Sequence, residues 1–113
     1  MSAPEIRLVG LDLDGTVFTD DKRITPRTLE AIQKAIAKGV IVIPATGRPL
    51  SGLPEAFARM PGVEYALTSN GAAVWHLPAR RKLVDLPLSA AHTLAAYALP
   101  GAFDCMPDVY WDG

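Results

Sequence analysis

The sequence contains few of the residues on which several common kinds of site depend. Its single cysteine, Cys105, cannot form an intramolecular disulfide, and a lone cysteine is typical of proteins in the reducing cytoplasm. Its two histidines, His76 and His92, lack the spacing of metal ligands. We therefore expect no disulfide framework, and we interpret both histidines as surface or packing residues.

An excess of one charge and long apolar runs are also missing. The 11 basic and 12 acidic residues give a formal net charge of −1, which offers no electrostatic basis for binding nucleic acid or an anionic membrane. No uninterrupted apolar stretch is long enough to span a bilayer, and residues 1–5 lack a signal-peptide pattern. Because half of the residues are hydrophobic and a fifth are charged, we expect a globular cytoplasmic protein with one modest core.

The first part of the chain alternates short apolar runs with a helical pattern. Residues 8–11 and 40–43 are apolar runs too short for helices, which predicts two buried strands. Between them, Thr25-Pro26 is typical of a helix start and Gly39 of a helix end. Two strands joined by one helix predict a parallel, right-handed crossover.

The same pattern then repeats. Residues 50–60 suit a helix whose regular part begins near Pro54, and residues 63–68 follow as a third strand. Pro44 has no N–H group to donate, so we expect the regular pairing of the second strand to stop near Ile43. The sequence thus predicts an α/β fold with a parallel core sheet.

A polar segment, residues 18–24, separates the first strand from the first helix. It carries four charged residues in a row, Asp20, Asp21, Lys22 and Arg23. We interpret this segment as an exposed loop or small hairpin, and its charges as a solvated face.

Two carboxylates, Asp12 and Asp14, directly follow the first strand. Residues two apart in an extended segment face the same side, so both carboxylates are expected together beyond the carboxyl end of the strand, where open α/β sheets bind ligands. Like charges at this spacing favour a bound cation such as Mg²⁺, or a proton kept on one of the two acids. The alternative is a turn with an incidental acidic pair, because Asp and Gly15 both suit turns.

The segment Asp12-Leu13-Asp14-Gly15-Thr16 resembles the first motif, DxDGT, of the haloacid dehalogenase-like phosphohydrolases. The resemblance implies a Rossmann-like α/β core with helices on both faces, and hydrolysis of a phosphate ester through an aspartyl-phosphate. Asp12 would be the nucleophile, and Asp14 would protonate the leaving oxygen and later activate water. Mg²⁺ would contact the Asp12 carboxylate and the Asp14 backbone carbonyl, and Leu13 would lie among the phosphate-binding residues.

The tripeptide Thr46-Gly47-Arg48 follows the second strand at the same edge of the predicted sheet. A hydroxyl, a glycine that permits close backbone approach and a guanidinium are suited to holding phosphate, although alone they favour a turn with a surface arginine. The tripeptide resembles the second family motif as it occurs in the Cof-type branch, in which a cap is inserted after the third strand. By this resemblance, the Thr46 hydroxyl and the Gly47 N–H hold the phosphoryl group and Arg48 faces the substrate.

A third polar segment, Ser69-Asn70-Gly71-Ala72, follows the third strand. Asn-Gly favours positive φ and therefore a turn. The segment also resembles the Cof-type stretch in which the core passes into the cap and the Asn lies by the substrate pocket. Both interpretations stay open, because Asn70 can serve in both ways.

The pattern changes after Ala72. Residues 73–76 and 82–86 predict a hairpin, and Ser89 is the expected cap of an Ala-rich helix over residues 90–99. A further strand is predicted within residues 103–111.

These later elements resemble the beginning of an inserted α/β cap. We therefore predict two parts, residues 1–72 as the N-terminal half of a phosphohydrolase core and residues 73–113 as an incomplete cap domain. Trp75 and Trp111 are expected in the core of that cap.

The resemblance also implies groups that this sequence does not supply. Complete Cof-type enzymes return from the cap to the core and add a Lys that neutralises the phosphoryl group and a further acidic motif for Mg²⁺. Asp104, Asp108 and Asp112 have no Gly-Asp context, and no residue here matches either group. We expect this chain to be inactive alone and to expose a sheet edge beside its first strand.

The first hypothesis is therefore a magnesium-dependent phosphomonoester hydrolase whose partner is a small phosphorylated metabolite such as a sugar phosphate. The alternative is a non-catalytic fragment that forms homo-oligomers through its exposed sheet edge or half-cap. A phospho-accepting receiver domain also places an Asp at a strand end near a Thr. That class ranks last, because it predicts an acidic pair upstream in place of DxDGT.

Overall fold

The computed structural model of the chain describes residues 3–102, 106–109 and 111, and it contains one five-stranded sheet. The strands lie side by side in sequence order: β1 (Leu8–Asp12), β2 (Ile41–Ala45), β3 (Tyr65–Thr68), β4 (Ala73–His76) and β5 (Arg81–Asp85). The helices are α1 (Pro26–Ala37), α2 (Glu55–Ala58) and α3 (Ala90–Ala98). Short 3₁₀ turns occupy Leu50–Gly52, Ser69–Gly71 and Leu99–Ala102.

The first three strands form the parallel part of the sheet. β1 pairs with β2 over their whole lengths, from Leu8 opposite Ile41 to Asp12 opposite Ala45. β2 pairs with β3 at Ala45 and Leu67. Because α1 connects β1 to β2 and α2 connects β2 to β3, the parallel α/β fold predicted from the sequence is confirmed.

Helix α1 begins and ends where its local signals predict. Thr25 has an extended backbone, and its hydroxyl oxygen accepts a hydrogen bond from the N–H of Thr28 at 3.2 Å. Pro26 occupies the first turn, where a missing N–H is not needed. After the last turn, Gly39 adopts a φ of 83°, which L-residues rarely do.

The prediction that regular pairing of the second strand stops before Pro44 is wrong. β2 runs through Pro44, which lies opposite Leu11 of β1. Successive residues of a strand direct their N–H groups to opposite neighbours: Ile41 donates to Arg7 beside β1, and Thr46 donates to Leu67 of β3. The missing donor of Pro44 therefore faces β3, so the ladder to β1 stays intact and the pairing with β3 is short.

The hydrophobic core lies on one face of the sheet. Alternate strand residues point into it, so Val42 and Pro44 are buried whereas Ile41 is 47% exposed. Both crossover helices supply side chains to this single core, as do the turn after β1 and the segment before β3: Leu13, Val17, Phe18, Ile32, Val42, Leu53, Phe57, Met60, Val63 and Ala66.

The opposite face is open at the β1 end of the sheet. Leu8, the neighbour of Ile41, is 54% exposed. The described residues therefore form one helical layer over the parallel strands, and the second layer of the predicted fold is not formed over Leu8 and Ile41.

The hairpin expected at residues 73–86 forms and extends the same sheet. β4 runs antiparallel to β3, from Tyr65 opposite His76 to Thr68 opposite Ala73, and β5 runs antiparallel to β4. The segment expected to begin a separate cap is thus hydrogen-bonded to the core sheet. The division of the chain into a core and a cap near residue 72 stays a prediction.

The last predicted elements have mixed outcomes. Ser89 caps α3 as expected, because its hydroxyl oxygen accepts from the N–H of His92, yet α3 buries no side chain. Trp111 is 95% exposed, so its predicted place in a cap core is wrong. The strand predicted within residues 103–111 lies partly outside the described residues, as do Asp104, Cys105 and Asp112, and residues 106–109 have no regular secondary structure.

Candidate active site

The sheet register brings the three polar segments to one edge. Asp12 lies opposite Ala45, and Ala45 lies opposite Leu67. Because the three strands are parallel, the segments that leave β1, β2 and β3 all begin at the carboxyl edge of the sheet. This is where an open α/β sheet binds its ligands.

The turn after β1 carries Asp14 outward. Leu13 and Val17 are buried and anchor the turn in the core, and the N–H of Phe18 donates to the Leu13 carbonyl at 3.0 Å. Gly15 has a φ of 76°, a conformation that glycine adopts without a steric penalty. Since the Leu13 side chain is fully buried, the phosphate contact predicted for Leu13 can come only from its backbone.

Asp14 is held by two cationic side chains from different parts of the chain. Arg48 binds both carboxylate oxygens, with Nε 2.9 Å from Oδ2 and Nη2 2.8 Å from Oδ1. Lys22 Nζ lies 2.9 Å from the same Oδ1. The predicted meeting of the first two motifs is therefore a direct, bidentate ion pair between Asp14 and Arg48.

These two cations decide the protonation state of Asp14. The hydrogen bond from Arg48, followed by that from Lys22, lowers the pKa of Asp14 from 3.8 to about 2. In return, Asp14 raises the pKa of Arg48. Asp14 is therefore an anion at neutral pH in this arrangement, and it must separate from its partners before it can carry a proton.

The loop after β2 is fastened to the loop after β3. The N–H of Ser69 donates to the Arg48 carbonyl at 2.8 Å, and the N–H of Asn70 donates to the Thr46 carbonyl at 3.2 Å. Thr46 is buried, and its hydroxyl oxygen accepts from the N–H of Arg48 at 3.1 Å. A hydroxyl that accepts one bond still has its proton to donate, so Thr46 retains the donor that its predicted role requires.

Asn70 covers the loop that contains Gly47. An added Cβ atom on Gly47 would lie 2.8 Å from Oδ1 of Asn70, which is closer than real side chains approach. Asn70 itself has a φ of 56°, between Ser69 at 51° and Gly71 at 91°. The predicted turn is thus confirmed, and it lies against the Thr46–Arg48 segment; a contact between Asn70 and substrate stays a prediction.

Asp12 differs from Asp14 in its surroundings. Its side chain is exposed and makes no hydrogen bond or ion pair with the residues that the structure describes. Those residues contain no group of three or more His, Cys, Asp or Glu side chains placed to hold a metal ion. An exposed carboxylate without a protein partner among the described residues is chemically suited to Mg²⁺ that keeps several of its waters, because Mg²⁺ needs only one or two carboxylates.

Sequence reasoning missed two residues at this edge. Lys22 was interpreted as part of a solvated charge cluster, whereas it contacts Asp14. Ser69 has a buried hydroxyl oxygen without a hydrogen-bond partner among the described residues. No local pattern marks Lys22, because its contact depends on two loops meeting in space, and Ser69 belongs to the third polar segment, in which a role was predicted only for Asn70.

A separate cleft of about 270 Å³ contains none of the predicted site residues. Leu53 and Arg59 beside α2 line one side of it, and Trp75 and Leu77 line the other. The Trp75 indole N–H donates to the hydroxyl of Thr68 at 3.2 Å, which ties β4 to β3 through side chains as well as backbone.

The fold and this edge define a class of protein. Asp14, the buried Thr46 hydroxyl and Arg48 meet beyond the carboxyl ends of parallel strands, and Asp12 is the last residue of β1 at the same edge. The arginine and the hydroxyl are suited to an anionic ligand. A sequence model of the haloacid dehalogenase-like hydrolases matches residues 9–104. The chain belongs to this family, which confirms the resemblance seen in its motifs.

Individual relatives agree with this assignment. A Streptococcus pyogenes serotype M6 protein, provisionally named a phosphatase, is 54% identical over 72 residues, which cover 61% of this chain and 27% of that protein. The 5-amino-6-(5-phospho-D-ribitylamino)uracil phosphatase YcsE of Bacillus subtilis is 34% identical over 71 residues, covering 63% of this chain and 28% of that protein. The chain thus spans little more than a quarter of the length of these relatives.

A solved structure shows the same fold. A haloacid dehalogenase-like hydrolase from B. subtilis superposes with a TM-score of 0.75 at 20% identity, over 88% of this chain and 34% of that chain.

None of the helices in the described part of this chain has both the length and the apolar character that a membrane span requires.

Proposed function

We propose that this chain forms part of a phosphomonoester hydrolase that acts through an aspartyl-phosphate on Asp12. The observation that carries the proposal is the meeting of Asp14 and Arg48 beside the strand end that presents Asp12. A carboxylate nucleophile, a second acid and a bidentate phosphate binder are then available at one edge.

The chemistry assigns a different task to each acid. A carboxylate oxygen of Asp12 attacks phosphorus, the bond from phosphorus to the ester oxygen breaks, and that oxygen takes a proton from Asp14. Water, deprotonated by Asp14, then cleaves the aspartyl-phosphate to release inorganic phosphate. The Thr46 hydroxyl and the Gly47 N–H hold the phosphoryl oxygens, and Arg48 turns from Asp14 toward the substrate.

Mg²⁺ is the cofactor in this proposal. The Asp12 carboxylate and the Asp14 backbone carbonyl would hold it, and it would reduce the repulsion between a carboxylate and an anionic phosphoryl group. The donor set is small, so the complete protein would add further ligands. For the same reason we infer that the 113 residues alone do not turn over substrate.

The substrate class is a small phosphorylated metabolite. One relative is named for a phosphorylated ribitylaminouracil, and a structural neighbour, BT4131, is described as a sugar phosphatase. We extend these names to this protein only as a class, and the lone cysteine favours a cytoplasmic location.

Substitution of Asp12 tests the proposal in the protein expressed from its complete reading frame. We expect Asp12→Asn to lower Mg²⁺-dependent hydrolysis of p-nitrophenyl phosphate by more than about 10³-fold, as for other nucleophile substitutions. Asp20→Asn removes an exposed carboxylate nearby in sequence and serves as the control. Undiminished hydrolysis by Asp12→Asn would contradict the proposal.

A second candidate function is self-association without catalysis, and one observation favours it. Among the described residues β1 pairs only with β2, so its other edge carries unpaired backbone groups beside the exposed Leu8. We expect light scattering to show oligomers of the 113-residue chain, and Leu8→Lys to shift them toward monomers. Leu94→Lys, on the exposed surface of α3, is the control. A monomeric unchanged chain would exclude this candidate.

A further inference from the structure

The turn that carries Lys22 has a defined structure. Thr19 and Arg23 face each other, with the N–H of Thr19 donating to the Arg23 carbonyl at 2.9 Å, and the N–H of Lys22 donates to the Thr19 carbonyl at 2.8 Å. Lys22 has a φ of 62° at the tip of this turn. Phe18, at its base, is buried against Phe57. The position of Lys22 beside Asp14 is therefore set by the core and by the backbone of the turn.

The two cations that contact Asp14 are not equally constrained. Arg48 makes two hydrogen bonds to Asp14 and a third to the Gly52 carbonyl at 3.2 Å, and its side chain is 35% exposed. Lys22 makes one contact, to Oδ1 of Asp14, and its side chain is 60% exposed. Moving the Lys22 ammonium therefore breaks fewer interactions than moving the Arg48 guanidinium.

The cluster also has an uncompensated charge. One carboxylate, Asp14, is shared by two full positive charges, so the three side chains together carry a net charge of +1. An ammonium has three N–H donors, and Asp14 is the acceptor that Lys22 contacts among the described residues. The net positive charge of Asp14, Arg48 and Lys22 therefore attracts a further anion to the space beside Asp14.

We propose that Lys22 is a substrate-binding residue, whose ammonium binds the anionic phosphoryl group from the 19–23 turn. This role rests on the proposed function, because it requires a phosphoryl group at the carboxyl edge of the sheet. It assigns to the turn after β1 a share of phosphate recognition that the three motifs do not include.

Binding of inorganic phosphate to the 113-residue chain tests the role of Lys22 without requiring turnover. Titration at low ionic strength, followed by backbone amide shifts in NMR spectra, gives the dissociation constant and shows whether the fold is unchanged. We expect Lys22→Met to weaken binding by about tenfold, the effect of one charge-assisted hydrogen bond, and Lys22→Arg to restore most of it. Lys38→Met, which removes the same charge from the segment before β2 at the opposite edge, should change binding little.

A second background separates direct binding from an effect through Asp14. If Lys22 contacts phosphate, Lys22→Met should weaken binding by a similar factor when Asp14 is already Asn. If the loss disappears in the Asp14→Asn background, Lys22 acts only as a partner of Asp14 and the proposal is overturned.

The remaining outcomes distinguish this proposal from the one on which it rests. Phosphate binding by the unchanged chain with an equal constant for Lys22→Met would overturn the role of Lys22 alone. Absence of phosphate binding by the unchanged chain would overturn the role of Lys22, whereas the proposed function is decided separately by Asp12→Asn in the protein expressed from its complete reading frame.

Discussion

Asn70 occupies the space that any side chain on Gly47 would need. Its Oδ1 atom lies 2.8 Å from the Cβ position of Gly47, while the N–H of Asn70 donates to the Thr46 carbonyl at 3.2 Å. The loops after β2 and β3 are therefore matched to each other in shape. A side chain at position 47 would have to displace the Asn70 amide, whether or not a phosphate also approaches Gly47.

This relationship predicts coupling between positions 47 and 70. Gly47→Ala should reduce the free energy of unfolding by about 0.5–1 kcal/mol, because the exposed Asn70 amide must leave its present rotamer to admit the methyl group. In an Asn70→Gly background the same change should cost close to nothing, since the overlapping amide is gone. Urea denaturation of the unchanged chain, the two single variants and the double variant measures the coupling. An equal loss of unfolding free energy from Gly47→Ala in both backgrounds would refute it.

The pKa of Asp14 should respond to each of its two partners. NMR titration of the carboxyl group should give a pKa of about 2. Removing Arg48, the larger cause, with Arg48→Met should raise that pKa more than Lys22→Met does, and Lys38→Met should leave it unchanged. A value near 3.8 in the unchanged chain would show that the ion pairs do not persist in solution.

The same shift fixes the sign of one contribution to stability. The folded pKa of Asp14 is below its unfolded value, so the folded state is favoured by this group above about pH 4. That contribution should decrease as the pH falls through the interval between 3.8 and about 2. Arg48→Met should weaken this acid-dependent loss, and urea denaturation at several pH values can detect the difference.

Two glycines with similar backbones should tolerate alanine differently. Gly39 and Gly62 have φ values of 83° and 85°, but a Cβ on Gly62 would overlap Cγ2 of Ile36 whereas one on Gly39 meets no atom within 4 Å. Each alanine incurs the cost of positive φ, about 1–2 kcal/mol, and Gly62→Ala adds about 1–3 kcal/mol of overpacking. Denaturation curves should therefore show a larger loss of unfolding free energy for Gly62→Ala than for Gly39→Ala. Equal losses would mean that Ile36 repacks freely.

Loss of the N-cap should have different consequences in α1 and in α3. Thr25→Ala should lower the free energy of unfolding of the chain by about 1 kcal/mol, because α1 packs into the core through Ile32. Ser89→Ala should instead increase amide hydrogen exchange within α3 alone, because α3 buries no side chain. A global loss of stability from Ser89→Ala would show that α3 is coupled to the core.

Local sequence signals predicted much of the parallel half of the fold. Thr25 and Pro26 marked the start of α1 because capping depends only on residues within one turn. The polar segments that contain Asp12 and Thr46 could be assigned to one edge, because strands joined by a helix are parallel and end on the same side. Asn70 and Gly71 likewise indicated positive φ through their own conformational preferences.

Other features depended on neighbours that a local pattern does not specify. Pro44 was expected to end its strand, but its missing donor faces β3, so β2 continues beside β1. Trp111 was expected in the core of a cap, and it is exposed. The hairpin was correctly predicted, but its attachment to the core sheet required knowledge of what lies opposite β4.

The sequence by itself determined the family, the order of the elements from β1 to α3, and the three polar segments that leave the parallel strands, because these follow from motifs and from interactions within a few residues. Only the tertiary structure decided that Asp14 is shared by Arg48 and Lys22, two cations 26 positions apart in the chain. The distance between charges fixes the strength of an ion pair, and that distance is set by how the loops fold against one another.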